Sequence, residues 1–139
     1  MKRITAIVLV ILAGFFTAGS LQAQSNEVRA NIPFDFTVGG KQLPSGNYDL
    51  ISEGTGHDLL VIQSRDQAAS ILTRSADVGS SPAYVSELIF NKYGDRYFLS
   101  EVLCTSIGVN VEVPASKQEK QIRTQRAWLG PQQVLVALK

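Results

Sequence analysis

The chain has one histidine, His57, which stands beside Asp58 behind the glycine-rich stretch Glu53-Gly54-Thr55-Gly56. A hydrolytic site would pair that imidazole with a serine and orient it with a carboxylate. No G-x-S-x-G elbow marks such a serine. On an extended backbone His57 and Asp58 also point to opposite faces, so a solvated loop is the simpler reading. Glu87 and Glu101 fall on the two arms of one expected hairpin and could face each other as paired glycosidase acids do. Two solvent-facing strand residues explain them with less. The one cysteine, Cys104, closes the apolar stretch Tyr97–Cys104 and reads as a small buried hydrophobe. One His and one Cys cannot build a structural zinc site. Gly39-Gly40 and Gly54-Thr55-Gly56 do not open helices, so they are not phosphate cradles. No catalytic residue, metal ligand or cofactor is assigned on this basis.

Binding chemistry is only slightly better marked. Lys117, Lys120, Arg123 and Arg126 form a basic run with one acid, Glu119, which could lie on anionic lipid or sugar. Its apolar face is thin, and a solvated helix accounts for it. Tyr48, Tyr84, Tyr93 and Tyr97 could stack on carbohydrate or a partner, although strand tyrosines more often pack half-buried.

The address is clearer than the chemistry. Met1-Lys2-Arg3 is followed by an apolar run, Ile4–Phe16, with Thr5 as its one polar residue, and a short segment closing on Ala23. Cations, an apolar run and a small residue at the end are the three parts of a secretory signal. The run is shorter than the roughly 20 residues of a membrane span. Residues 1–23 are therefore expected to be a signal peptide cleaved between Ala23 and Gln24, with Ser20 as the second choice. No stable membrane span is expected after cleavage. Removing Lys2 and Arg3 from the 13 basic residues leaves 11 against 12 acidic ones, a balance that argues against nucleic acid as a partner. Residues 24–139 suffice for one domain with its own core, without an internal disulfide.

The elements that would hold any site are mostly strands. Ser25–Arg29 reads as a polar lead-in. Ile32, Phe34, Phe36 and Val38 alternate with polar residues and predict a half-buried strand, followed by a Gly39-Gly40 turn. Leu43-Pro44-Ser45-Gly46 is a second turn, and Asn47–Ser52, Leu59–Gln63 and Ala68–Thr73 are strands. Ser75–Pro82 reads as a loop. Tyr84–Lys92 and Arg96–Cys104 make the strongest hairpin, joined by a three-to-four-residue loop around Tyr93-Gly94-Asp95. Val109–Val113 alternates again. Ser116-Lys117-Gln118-Glu119 is a capping box that opens a helix running to about Trp128, with Glu119 and Arg123 spaced to pair and Ile122 and Leu129 on its buried stripe. Gln133–Leu138 ends the pattern as a strand. The expected fold is mainly β: a single antiparallel β-sandwich or barrel of about eight strands with one late α-helix.

Ile32-Pro33-Phe34-Asp35-Phe36-Thr37-Val38-Gly39-Gly40 and Leu43-Pro44-Ser45-Gly46-Asn47-Tyr48 resemble the opening block of a group of small secreted bacterial proteins of unknown function. Phe90–Leu99, which contains Tyr93-Gly94-Asp95-Arg96-Tyr97-Phe98-Leu99, and Ser116–Glu119 resemble two later blocks. Ser45 stands where alanine is usual. The resemblance implies a secreted, largely β domain and brings no activity with it. The function expected is that of an exported, periplasmic or extracellular, non-enzymatic module that binds a protein or envelope partner, or another copy of itself, through a sheet edge or a loop face. The alternative is a lipocalin-like barrel around a small apolar ligand, and an enzyme comes third. The oligomeric state is left open.

Overall fold

A computed structural model of the chain describes residues 27–53, 59–74, 76–77, 84–105, 109–128 and 130–139. The expected leader with its Ala23–Gln24 junction, His57, Asp58 and Leu129 lie outside the described residues. In chain order the elements are β1 (Glu27–Ile32), β2 (Phe36–Val38), β3 (Lys41–Leu43), β4 (Gly46–Glu53), β5 (Leu59–Ser64), β6 (Ser70–Arg74), β7 (Ala76–Asp77), β8 (Ser86–Tyr93), β9 (Arg96–Cys104), β10 (Val109–Glu112), α1 (Lys117–Gln125) and β11 (Gln132–Ala137). They form two sheets. The first has the order β1-β4-β5-β6, and the second runs β11-β8-β9-β10-β7 with the β2–β3 hairpin attached to β9. The sheets pack face to face as a sandwich. The barrel half of the expectation is not realised.

Between them lies one core of residues from alternate strand positions, including Ile32, Phe36, Tyr48, Leu60, Leu88 and Phe90, each 1% exposed or less. The period of two dictates this: every second side chain faces the other sheet. Phe90 meets Phe36 edge to face at 5.5 Å, and Phe36 meets Tyr48 at 5.2 Å, so an aromatic chain links the two sheets. The Tyr48 hydroxyl donates to the carbonyl of Pro44 and ties β4 to its own turn. In that turn Gly46 has φ +153° and sits 3.0 Å, measured from where a Cβ would be, from a carboxylate oxygen of Asp66, which accepts from the Asn47 N–H at 2.7 Å. A side chain there would strain the backbone and push the Asp66 carboxylate aside.

Several expectations are corrected. There are eleven strands among the described residues, because short pieces read as loops are paired. Of the supposed lead-in, Glu27–Arg29 belongs to β1, with Arg29 opposite Asp49. The strand expected through Val38 is broken at Pro33–Asp35, where proline lacks an N–H and Asp35 turns to accept from Ser45 N at 2.8 Å. Within the expected loop after Ser75, Ala76–Asp77 pairs with β10. The hairpin turn is shorter than expected: Tyr93 pairs with Arg96, so only Gly94 and Asp95 lie between.

The helix departs most from its sequence pattern. Ser116 does cap it, its hydroxyl accepting from Glu119 N at 3.1 Å, but α1 stops at Gln125. Its buried residue is Glu119, 3% exposed, while Ile122 is only half-buried. The Glu119 carboxylate neither returns to Ser116 nor pairs with Arg123. It accepts from Asn91 Nδ2 at 3.0 Å and from the Tyr93 hydroxyl at 3.4 Å, clamping α1 onto the outer face of the β8–β9 hairpin. Phe98, opposite Asn91, lies on that outer face too, with its ring edge-on to Tyr93 at 5.9 Å.

Burial raises the Tyr93 phenol above its ordinary 10.0, and the Glu119 carboxylate adds to the rise. Tyr48 is raised as well, again mainly by burial. This advantage of the folded state is complete below 10.0, where neither state has ionised, and is lost as pH rises through the folded values. Melting temperatures are therefore expected to fall once pH passes about 10, and Tyr93→Phe to flatten that fall. An identical alkaline slope in the variant would contradict the placement of Tyr93.

Candidate functional site

The residues that sequence singles out for chemistry do not converge. Glu87 pairs with Leu103 and Glu101 with Ile89, so the two acids are diagonal rather than opposite. A two-residue turn and a bulge between Ile89 and Phe90 set that register. Glu101 faces a third acid, Glu112, across β9 and β10. Cys104 is 4% exposed in the core, with its sulfur 3.7 Å from the Ser86 hydroxyl. Among the described residues no group of three or more His, Cys, Asp or Glu side chains could hold a metal ion. Of the tyrosines, Tyr48 and Tyr93 are buried, while Tyr97 stacks on Phe34 at 4.0 Å with Lys92 Nζ 5.3 Å from its centroid. Tyr84 is fully exposed. The four basic residues Lys117, Lys120, Arg123 and Arg126 are all exposed. No helix among the described residues is long and apolar enough to cross a membrane.

Two depressions open on the surface, the first mainly polar and the second more apolar than polar. One of about 200 Å³ is bordered by Asp35, Thr37, Gln42, Asp95, Arg96 and Gln118. A second, of about 390 Å³, lies over Arg29, Asn31, Asn47, Arg65 and Lys139. There Asp49 lies 3.6 Å from both Arg29 and Arg65, and Asn31 donates to Asn47 at 2.9 Å. The centre of the sandwich, where a ligand cup would need space, is occupied by Phe36, Tyr48, Leu50, Leu60, Ile62 and Phe90.

The free edge of the first sheet is different. At the other edge, β1 is joined to the second sheet by the Ala30–Leu138 bridge and by Lys139 N donating to Arg29 O at 2.8 Å. β6, at the opposite edge, has β5 on one side only. Ser64 N donates to Ala69 O at 2.8 Å, which places the alternate pairs Ile62–Ile71 and Leu60–Thr73 in the hydrogen-bonded positions of this ladder. The N–H and C=O groups of Ser70, Leu72 and Arg74 then point away from β5. The Ser70 carbonyl accepts from Lys41 Nζ at 3.1 Å, as that direction requires. Leu72 between them is 59% exposed. Ile51, Val61 and Leu72 form one cross-strand row on the outer face, so the edge opens onto an apolar strip.

Sequence reading places a strand at Ala68–Thr73 but has no local signal that it lacks a second neighbour. No family model, curated protein or solved structure matches the chain. The site therefore rests on its own geometry.

Proposed function

We propose that this protein is an exported, non-enzymatic binding module that takes an extended segment of a partner protein onto β6 as an added strand. The observation that carries the reading is the row of outward backbone groups at Ser70, Leu72 and Arg74, with the Ser70 carbonyl held by Lys41, beside an apolar strip whose edge residue, Leu72, is 59% exposed. Strand addition draws affinity from such main-chain groups and selectivity from alternate side chains. An exposed edge is ordinarily guarded by lysine, proline or a bulge. Here one lysine, Lys41, guards only the Ser70 end. Export rests on the Met1–Ala23 pattern, and the mature protein would act in the periplasm or outside the cell.

A photo-reactive residue in place of Leu72 tests this in the native host. It should give a discrete adduct with an exported protein, while the same residue at Gln133 should not. The Leu72→Pro variant should lose binding of that partner by ten-fold or more. Its proline removes only an N–H that points away from β5, so the ladder keeps its bonds. No adduct at residue 72, or recovery of the chain from the cytosol with Met1 intact, would refute the reading.

A further inference from the structure

Resting on the strand-addition reading, we infer that the segment received by β6 is acidic at both ends of an apolar centre. Three positions of an incoming strand would lie on the outer face of β6, opposite Ser70, Leu72 and Arg74. The first meets the Lys41 ammonium, which sits 3.1 Å from the outward Ser70 carbonyl and would yield that acceptor to the strand's N–H as it turns to the incoming acid. The middle one meets Leu72 and continues the row Ile51–Val61–Leu72. The third meets Arg74, about 13 Å from the first at the rise of a strand. No carboxylate among the described residues pairs with Lys41 or Arg74, whereas Arg29 and Arg65 are both paired. The edge thus presents cation, hydrophobe and cation at alternate positions, and acid, hydrophobe and acid complement them. Opposite charges directly across a strand pair are favourable and like charges are not.

The same charges disfavour a second copy as the occupant. Pairing β6 with itself about Leu72 would set Arg74 of each chain opposite Ser70 of the other, next to that chain's Lys41. On the inner side, the partner's intervening residues would approach the β2–β3 turn, where the Cβ position of Gly39 lies 3.0 Å from Thr73 Oγ1. Small residues fit there.

Three labelled seven-residue peptides test the inference against the full mature chain by fluorescence anisotropy. Each has valine at the centre, serine on either side of it, and glutamate, glutamine or lysine at the second and sixth positions. The glutamate peptide should bind about ten-fold more tightly than the lysine peptide, with glutamine between, and the gap should narrow as salt rises from about 50 to about 500 mM. Lys41→Ala and Arg74→Ala should each weaken the glutamate peptide about 2- to 5-fold and leave the glutamine peptide unchanged. Equal binding of the three peptides, or binding of none, overturns the inference. If all three bind equally and Leu72→Pro abolishes every one, the edge still receives strands and only the charge assignment fails. If none binds and residue 72 gives no adduct in the host, both fall.

Discussion

Truncating Phe90 to alanine is expected to remove about 3–5 kcal/mol of stability, against a total of about 5–15 kcal/mol for a domain of this kind. Phe90 is fully buried and central to the aromatic chain between the sheets. Its ring takes Phe34 edge-on at 5.1 Å and Phe36 at 5.5 Å, and Phe34 in turn stacks on Tyr97. Alanine would leave a void bounded by rings from β2 and from the Pro33–Asp35 crossing. Those rings are already held by their own contacts and cannot all move inward. The loss is therefore a transfer term plus a cavity that does not collapse, rather than a transfer term alone. Urea unfolding should show a lower midpoint with an unchanged slope. Phe90→Leu, which keeps most of the volume, should lose clearly less. A change below about 1 kcal/mol in the alanine variant would mean that this ring does not hold Phe34 and Phe36 in place in the core.

The second large effect is expected at Glu119. Glu119→Ala should cost about 2–3 kcal/mol, because the carboxylate is itself buried and accepts from the buried Tyr93 hydroxyl and the half-buried Asn91 amide. Without it the Asn91 amide and the Tyr93 hydroxyl lose their acceptor beneath α1. The Ser116 cap is untouched, since its bond goes to the backbone N–H of residue 119. The damage should thus fall on docking of the helix rather than on its first turn. Hydrogen exchange distinguishes the two: amides of α1 and of the β8–β9 turn should lose protection while those of β4 and β5 keep theirs. Glu119→Gln keeps an acceptor of the same shape and should restore most of the protection. Unchanged exchange in the alanine variant would show that α1 is held by its apolar contacts instead.

Much of the architecture is legible along the chain because it is local. Alternation at Tyr48 and Leu50 and at Val109, Val111 and Val113 identifies strands. Gly39-Gly40, Gly46 and Gly94 mark turns, and Ser116 marks the start of the helix. Each of these signals depends on backbone and side chains a few residues apart. The expected leader likewise rests on a contiguous pattern, Met1–Ala23. What sequence could not supply depends on which strand lies beside which. Glu119 reads as half of a capping box until the β8–β9 hairpin brings Asn91 and Tyr93 to it. Phe98 reads as core until a bulge and a helix place it on the opposite face. β6 looks like any other strand until the pairing order leaves it without a second neighbour. Register, edges and the covering of a face arise from contacts between residues far apart in the chain, and a strand's own residues encode which sides it has but not what will meet them. The candidate site is made of that second kind of information, and so it emerged only with the tertiary structure.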